Sequence, residues 1–305
     1  MHARIPHRAL LALAFALPGL AAPRAAAAPP GSPWGASYFP DVELTTQDGR
    51  KVKFYSDLVL GKHVVVSFIY TRCTRICGLV TANLARVQRE LGDRVGKDIQ
   101  LYSVSLDPEH DTPERLKAYA AAFKARPGWT FLTGRAEDVA ALRKKFGDMA
   151  PVEDHAPVVE IGNDVTGQWW RTSVLDNPRY LATVIGGFMD PAWDGSGLVG
   201  ARGYAGAPAV AAPGKGQALY RERCAACHVP GGDSVGPDLA GVTARRDPGW
   251  LARWIQSPGK LIDAKDPIAL ELLGRHGQVP MPSTGLTDAE VRAVVEFLRS
   301  SDERR

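Results

Sequence analysis

Hydrophobic positions between residues 42 and 189 alternate between strand-like and helix-like spacing. Residues 63–69 form a continuous apolar run, which is typical of a strand buried on both faces. Residues 99–106 predict a second strand, and Asp111 with Glu114 marks the start of the helix that follows it. Strands that alternate with helices in this way predict an α/β domain.

The same domain contains further segments of both kinds. Additional strands are expected at residues 129–132, 157–161 and 168–172, and additional helices directly after residue 77 and over residues 177–189. We place this domain at residues 33–193.

After the α/β segment, the composition changes twice. Residues 194–214 are rich in Gly, Ala and Pro and nearly free of large apolar side chains, which predicts a flexible linker with a reach of roughly 25 to 30 Å. Residues 215–303 are helical in pattern, with a capping box from Thr287 to Glu290 at the start of the last helix. An apolar stripe along that helix is formed by Val291, Val294, Val295 and Leu298. The second domain is therefore expected to be all-α.

The N-terminus has the sequence pattern of a secretory leader over residues 1–28: basic residues come first, followed by an apolar run and a string of alanines. Pro18 and Gly19 interrupt the apolar run, which is shorter than the roughly 20 residues that span a bilayer. We expect cleavage after Ala28, export to a bacterial periplasm and a soluble mature form. A membrane anchor is the alternative if the leader is retained.

Net charge excludes one class of partner. The chain of 305 residues carries 37 Lys and Arg against 33 Asp and Glu, a formal charge of +4, and three of the arginines lie in the leader. The remainder is nearly neutral and has no cluster of basic residues, so nucleic-acid binding is not expected.

The four cysteines fall into two close pairs, of which the second has an unambiguous pattern. Cys224, Cys227 and His228 fit C-x-x-C-H, in which two thiols attach a c-type haem and the histidine ligates its iron. A zinc site would need more ligands nearby, and no further cysteine is available. This pair predicts one covalent haem c.

In c-type cytochromes the second axial ligand of the iron is a thioether or another imidazole. Met281 lies between two prolines and does not belong to a helical pattern of apolar residues, so a role as a core residue fits it poorly. His276 is the alternative ligand. Residues 215–299 resemble a class I cytochrome c, including a Gly-Pro pair that ends at Pro237. The resemblance implies that the Pro237 carbonyl accepts a hydrogen bond from His228.

The first pair, Cys73 and Cys77, follows a predicted buried strand and enters a helix. Cysteines four apart on a first helical turn share a face, and the helix N-terminus favours their thiolate forms. The spacing suits either a redox disulfide or two thiolates on one soft metal ion. Both possibilities remain open at this point.

Three stretches carry a resemblance to the Sco/SenC family: FIYTRCTRIC, VSLDPEHDTPERLKAYA and VEDHAPV. Members are thioredoxin-like proteins that deliver copper to, or reduce the thiols of, the copper centre of cytochrome oxidase. The resemblance implies a thioredoxin-like fold and one copper ion bound by Cys73, Cys77 and His155, with Asp154 as a group that orients the imidazole. His110 is the alternative histidine ligand, followed by His63.

The resemblance has one departure and leaves several functions open. The family usually has proline after each cysteine, where this chain has Thr74 and Gly78. The leading hypothesis is a copper-binding assembly factor whose haem moves electrons, with the copper-centre subunit of cytochrome c oxidase or another periplasmic redox protein as its partner. A thiol-disulfide reductase and a plain electron carrier with a docking domain are the alternatives, so enzymatic activity is undecided.

Overall fold

The computed structural model describes residues 34–190, 214–228, 232, 235–276 and 279–303. The expected leader and residues 194–213 of the expected linker lie outside these ranges. In the part of the chain that is described, no helix has both the length and the apolar character to cross a membrane.

Within residues 34–190 a seven-stranded sheet forms, with strand order β2-β1-β5-β4-β3-β6-β7. Its strands are β1 (Glu43–Thr46), β2 (Lys51–Lys53), β3 (His63–Ile69), β4 (Ile99–Ser105), β5 (Trp129–Gly134), β6 (Val158–Asn163) and β7 (Gln168–Ser173). β3, β4 and β5 run parallel at the centre, and every other neighbour pair is antiparallel. The sheet is therefore mixed.

The helices of both parts of the chain are α1 (Cys77–Leu91), α2 (Pro113–Ala122), α3 (Ala136–Lys145), α4 (Pro178–Met189), α5 (Lys215–Arg223), α6 (Val242–Arg245), α7 (Pro248–Gln256), α8 (Pro258–Asp263), α9 (Pro267–Arg275) and α10 (Asp288–Asp302). Short turns of other helix types occupy Phe54–Val59, Gly92–Arg94 and Val152–Asp154.

The continuous apolar run of β3 is explained by cover on both faces of the sheet. Val65 packs into one core cluster with residues of α1, α2 and α4, whereas Val64 and Val66 pack into a second cluster with residues of α3. Successive side chains of a strand point to opposite faces, so a strand with two buried faces needs apolar residues throughout. The carboxyl end of β3 leads directly into the first cysteine pair.

The predicted elements are largely present, with two differences. β1, β2 and α3 were not singled out from the sequence. Asp111 was expected to cap α2, but Thr112 is the N-cap and its side chain accepts a hydrogen bond from the Arg115 N–H. Asp111 is instead completely buried.

The C-terminal part is helical, as expected, and is built around the crossing of α5 and α10. A Cβ placed on Gly216 would lie 2.0 Å from the Ala293 carbonyl oxygen, so only glycine permits this close approach. The capping box of Thr287 and Glu290 is confirmed at the start of α10. The end of α5 delivers Cys224 to the interior.

Candidate metal centres

The first cysteine pair lies where β3 ends and α1 begins. Cys77 is the first residue of α1, and its backbone N–H donates to the Cys73 sulfur at 3.3 Å. Cys73 is 4% exposed and Cys77 is fully buried. Both are free thiols. The turn between them thus wraps around the Cys73 sulfur.

The two thiols differ sharply in acidity. The pKa of Cys73 is lowered to about 5, first by a hydrogen bond from the Cys77 thiol and then by backbone N–H groups of the turn, which together outweigh its burial. Burial raises the pKa of Cys77 far above its ordinary value. At neutral pH the pair therefore holds one thiolate and one thiol.

His155 approaches this pair from the turn before β6. Its Nε2 lies 3.5 Å from the Cys77 sulfur, and its Nδ1 donates to the Val152 carbonyl oxygen at 2.7 Å. That donation fixes the tautomer and leaves the Nε2 lone pair directed at the cysteines. The expected orienting group was wrong: Asp154 pairs with Arg75 at 2.5 Å and not with the imidazole.

The other two candidate histidines are engaged elsewhere. His110 is exposed, with Nδ1 at 2.8 Å from an Asp107 carboxylate oxygen and 3.0 Å from an Arg72 guanidinium nitrogen. His63 begins β3, at the end of the strand opposite the cysteine turn. Only His155 among the three is in contact with a cysteine.

The donor set of the first site suits a soft metal ion, since it offers two sulfurs and one imidazole. Within the described ranges, no three His, Cys, Asp or Glu side chains already stand in metal-binding geometry. The Cys77 side chain touches both of the other donors, since it hydrogen-bonds to the Cys73 sulfur and lies 3.5 Å from the His155 Nε2. Small side-chain shifts would therefore be enough to turn the three donors toward one ion.

A buried carboxylate anchors the start of the cysteine turn. Asp111 accepts hydrogen bonds from the Thr71 N–H at 3.1 Å, from the Thr71 hydroxyl at 2.5 Å and from the Ser105 hydroxyl at 2.5 Å. Sequence reasoning missed this role because an acidic residue two positions before a helical proline reads as a cap. The buried network fixes the path of the chain between β3 and Cys73.

The second pair lies at the edge of a cavity of ≈ 350 Å³. Among the residues that line the cavity are Cys224, Cys227, His228, His276 and Met281. Burial raises the pKa of both thiols to about 12, so this pair lacks the acidic thiol of a redox pair.

The surroundings of His228 fit an iron ligand. Its Nδ1 donates to the Pro237 carbonyl oxygen at 2.8 Å, which leaves Nε2 free to coordinate. A Cβ placed on Gly236 would lie 2.5 Å from the His228 Cε1, so glycine is required beside the ring. The Gly-Pro pair thus holds the imidazole by shape as well as by hydrogen bonding.

The two candidate centres adjoin each other in the structure. The wall of the cavity includes Gly78 and Phe123 from the α/β part of the chain. Gly78 directly follows Cys77, and the Thr74 carbonyl accepts a hydrogen bond from the Ser283 N–H at 3.0 Å.

Comparison with known families agrees with this division. Residues 34–160 match the family model described as SCO1/SenC, and residues 214–302 match the one described as Cytochrome c. The chain joins a Sco/SenC domain to a cytochrome c domain. The α/β part is thus a thioredoxin-like Sco fold, and the helical part is the cytochrome c domain. The exact domain bounds of 33–193 and 215–303 stay a prediction.

Individual relatives match the Sco domain. The SCO1 protein homolog of Bacillus subtilis is 37% identical over 89 residues, which are 29% of this chain and 45% of that protein. The mitochondrial protein SCO2 of Saccharomyces cerevisiae is 32% identical over 103 residues, 34% of this chain and 33% of that protein. Each match therefore spans less than half of the relative. A structure of Bradyrhizobium japonicum ScoI with copper bound is 24% identical, covering 47% of this chain and 94% of that one, with a TM-score of 0.40.

Proposed function

We propose that this chain is an exported protein that binds one copper ion through Cys73, Cys77 and His155 and serves in assembly of the copper centre of cytochrome oxidase. Its haem domain exchanges single electrons with that copper. The partner is then the oxidase subunit that holds the copper centre, or another periplasmic redox protein. The leader over residues 1–28 supports export.

The observation that carries the copper proposal is the contact between the His155 Nε2 and the Cys77 sulfur, at 3.5 Å. The hydrogen bond from Nδ1 to Val152 prepares the imidazole as a ligand. Thiolates stabilise Cu(I), and imidazole adds a donor that Cu(II) prefers. A site with both kinds of donor can hold copper in two oxidation states.

In the cytochrome c domain, Cys224 and Cys227 would attach the haem, His228 and Met281 would ligate its iron, and the Pro237 carbonyl would orient His228 as the hydrogen-bond acceptor. Bound haem supplies a one-electron redox centre. Reduction of a Cys73–Cys77 disulfide takes two electrons, whereas conversion of Cu(II) to Cu(I) takes one. The electron count therefore favours bound copper as the redox partner within the chain.

Thiol-disulfide exchange is a second candidate, and the acidity difference of the first pair favours it. With a pKa of about 5, Cys73 is a thiolate at neutral pH and can attack a disulfide of a partner protein. Cys77 stays protonated and buried until the mixed disulfide forms, and its thiol then completes the exchange. The same two cysteines would thus be oxidised as the partner is reduced.

Copper titration of the wild type and of His155→Ala tests the copper proposal. We expect the variant to lose at least about tenfold in affinity for Cu(II) and clearly less for Cu(I), because imidazole contributes more to the Cu(II) site. His110→Ala is the matched control and should bind both ions as the wild type does. Equal loss of both oxidation states, or no loss, would count against His155 as a ligand.

A further inference from the structure

The cytochrome c domain meets the cysteine turn at the residue that follows each cysteine. The Thr74 carbonyl accepts the Ser283 N–H at 3.0 Å. A Cβ placed on Gly78 would lie 3.8 Å from the Pro280 carbonyl oxygen and 3.9 Å from Pro282 Cδ. These are ordinary van der Waals distances, so the space between Gly78 and the cytochrome c domain is about the size of one methyl group.

We call this contact the seam and define it by the residues that form it: Thr74, Gly78 and Phe123 of the Sco domain with Gly259, Pro280, Pro282 and Ser283 of the cytochrome c domain.

Apolar packing extends the seam beyond these contacts. Val235 and Val279 of the cytochrome c domain pack against the core cluster that contains Cys73 and Cys77. Apolar packing combined with a backbone hydrogen bond, here between Thr74 and Ser283, is typical of a specific interface. The contact is thus a docking surface with a defined occupant, the cytochrome c domain of the same chain.

The seam closes one approach to the cysteine pair. Thr74 follows Cys73 and Gly78 follows Cys77, and both lie against the cytochrome c domain. With the seam in place, Cys73 is 4% exposed and Cys77 is not exposed at all. A macromolecule that had to reach either sulfur over this face would collide with the docked domain.

We propose that the face formed by Thr74, Gly78 and Phe123 is a docking surface that the chain's own cytochrome c domain occupies in competition with outside proteins. The docked state shields the cysteine pair from bulky reactants. The undocked state, in which the linker still tethers the domain, exposes the pair to a protein that offers sulfur or imidazole ligands for copper. This inference rests on the proposed copper function and adds a control of access to it.

Two glycines allow the seam to be opened from either side. Beyond its Cβ, a glutamine at Gly78 would enter the space held by Pro280 and Pro282. On the cytochrome side, a Cβ on Gly259 would lie 3.7 Å from the Thr74 Cβ, so the rest of a glutamine there would press into the cysteine turn. Gly78→Ala and Gly259→Ala add only groups that fit and serve as matched controls.

The test measures alkylation of Cys73 and Cys77 in the full-length, reduced, copper-free protein, with N-methylmaleimide and with a maleimide on a large polyethylene glycol. Peptide mapping of residues 73–77 scores this pair alone, so the result does not depend on copper binding. An open minor state commonly has a population of about 0.1–10%, so both glutamine variants should react with the bulky reagent at least about tenfold faster than the wild type.

The alanine variants should behave as the wild type, and the small reagent should react at similar rates with all five proteins. Wild-type rates of bulky alkylation in both glutamine variants would overturn the proposal. Equal acceleration of both reagents would also overturn it, because that result signals a disordered cysteine turn. Failure of copper binding in the separate titration would remove the proposed function and leave this result standing.

Discussion

At the scale of single residues, the first cysteine pair combines one acidic thiol with one whose pKa is raised by burial. Cys73 collects hydrogen bonds from the turn that leads into α1, whereas Cys77 lies in the core. A sequence can place two cysteines on a helix N-terminus, but it does not show which sulfur the backbone surrounds. That assignment needed the structure.

The acidity of Cys73 predicts a flat pH profile for its alkylation by a small reagent. In copper-free, reduced protein the rate should be nearly constant between about pH 6 and pH 8, because a thiol with a pKa of about 5 is already ionised there. The rate should fall only as the pH drops through 5. Cys77→Ala removes the main hydrogen-bond donor to Cys73, so the fall in rate should move to a higher pH. A wild-type rate that rises tenfold for each unit from pH 6 to 8 would contradict this.

Met281 and His276 both line the haem cavity, so a pair of variants separates them. We expect Met281→Ala to keep the haem covalently attached, through Cys224 and Cys227, but to lose the sulfur-to-iron absorption band of the oxidised protein. His276→Ala should retain that band. Persistence of the band in Met281→Ala would show that another group ligates the iron.

His155 illustrates the limit of sequence reasoning at this scale. A lone histidine 78 positions after Cys77 carries no local signal, and it was singled out only through the family resemblance. The structure adds its contact with Cys77 and replaces Asp154 by the Val152 carbonyl as the orienting group. No motif beside His155 indicates which backbone carbonyl its Nδ1 meets, unlike the Gly-Pro pair that pointed to the Pro237 carbonyl, which is why this partner was missed.

At the scale of elements, the buried strands were the most predictable features. β3 was expected at 63–69 and is found there, since a run of apolar residues is required when both faces of a strand are covered. The short edge strands β1 and β2 were missed because four and three residues of mixed polarity give almost no periodic signal. Such strands owe their existence to their neighbours in the sheet.

Asp111 couples the β3–α1 connection to the end of β4, and its replacement should loosen the cysteine turn. In Asp111→Asn, an NH2 group replaces one of the two carboxylate oxygens. One oxygen accepts from the Thr71 N–H and the Ser105 hydroxyl, and the other accepts from the Thr71 hydroxyl, so either replacement takes the acceptor from at least one donor. We expect the free energy of unfolding to fall by about 1–3 kcal/mol in a urea titration.

Glu43→Gln is the control for that substitution. Glu43 forms an exposed ion pair with Lys51, and its loss should cost no more than about 1 kcal/mol. If Asp111→Asn were no more destabilising than this surface variant, the anchoring role of Asp111 would be refuted.

At the scale of the whole molecule, the two centres are neighbours across the seam. The sequence predicts two domains and a linker, but a linker of Gly, Ala and Pro does not determine how the domains meet. The structure places Gly78 in the wall of the haem cavity and joins Thr74 to Ser283 by a hydrogen bond. A short covalent and hydrogen-bonded connection therefore leads from Cys73 through Thr74 to the loop that carries Met281. Gly78, next to Cys77, faces Pro280 and Pro282 of the same loop without a hydrogen bond to them.

This arrangement supports the central claim, that haem and bound copper exchange electrons within one molecule. The direct measurement is a flash-photoreduction experiment on the Cu(II)-loaded protein, in which reoxidation of the reduced haem is followed as Cu(II) becomes Cu(I). We predict a first-order rate that does not change with protein concentration and a step that is absent in Cys73→Ser and in copper-free protein. A rate proportional to protein concentration, or the same reoxidation without copper, would contradict the account.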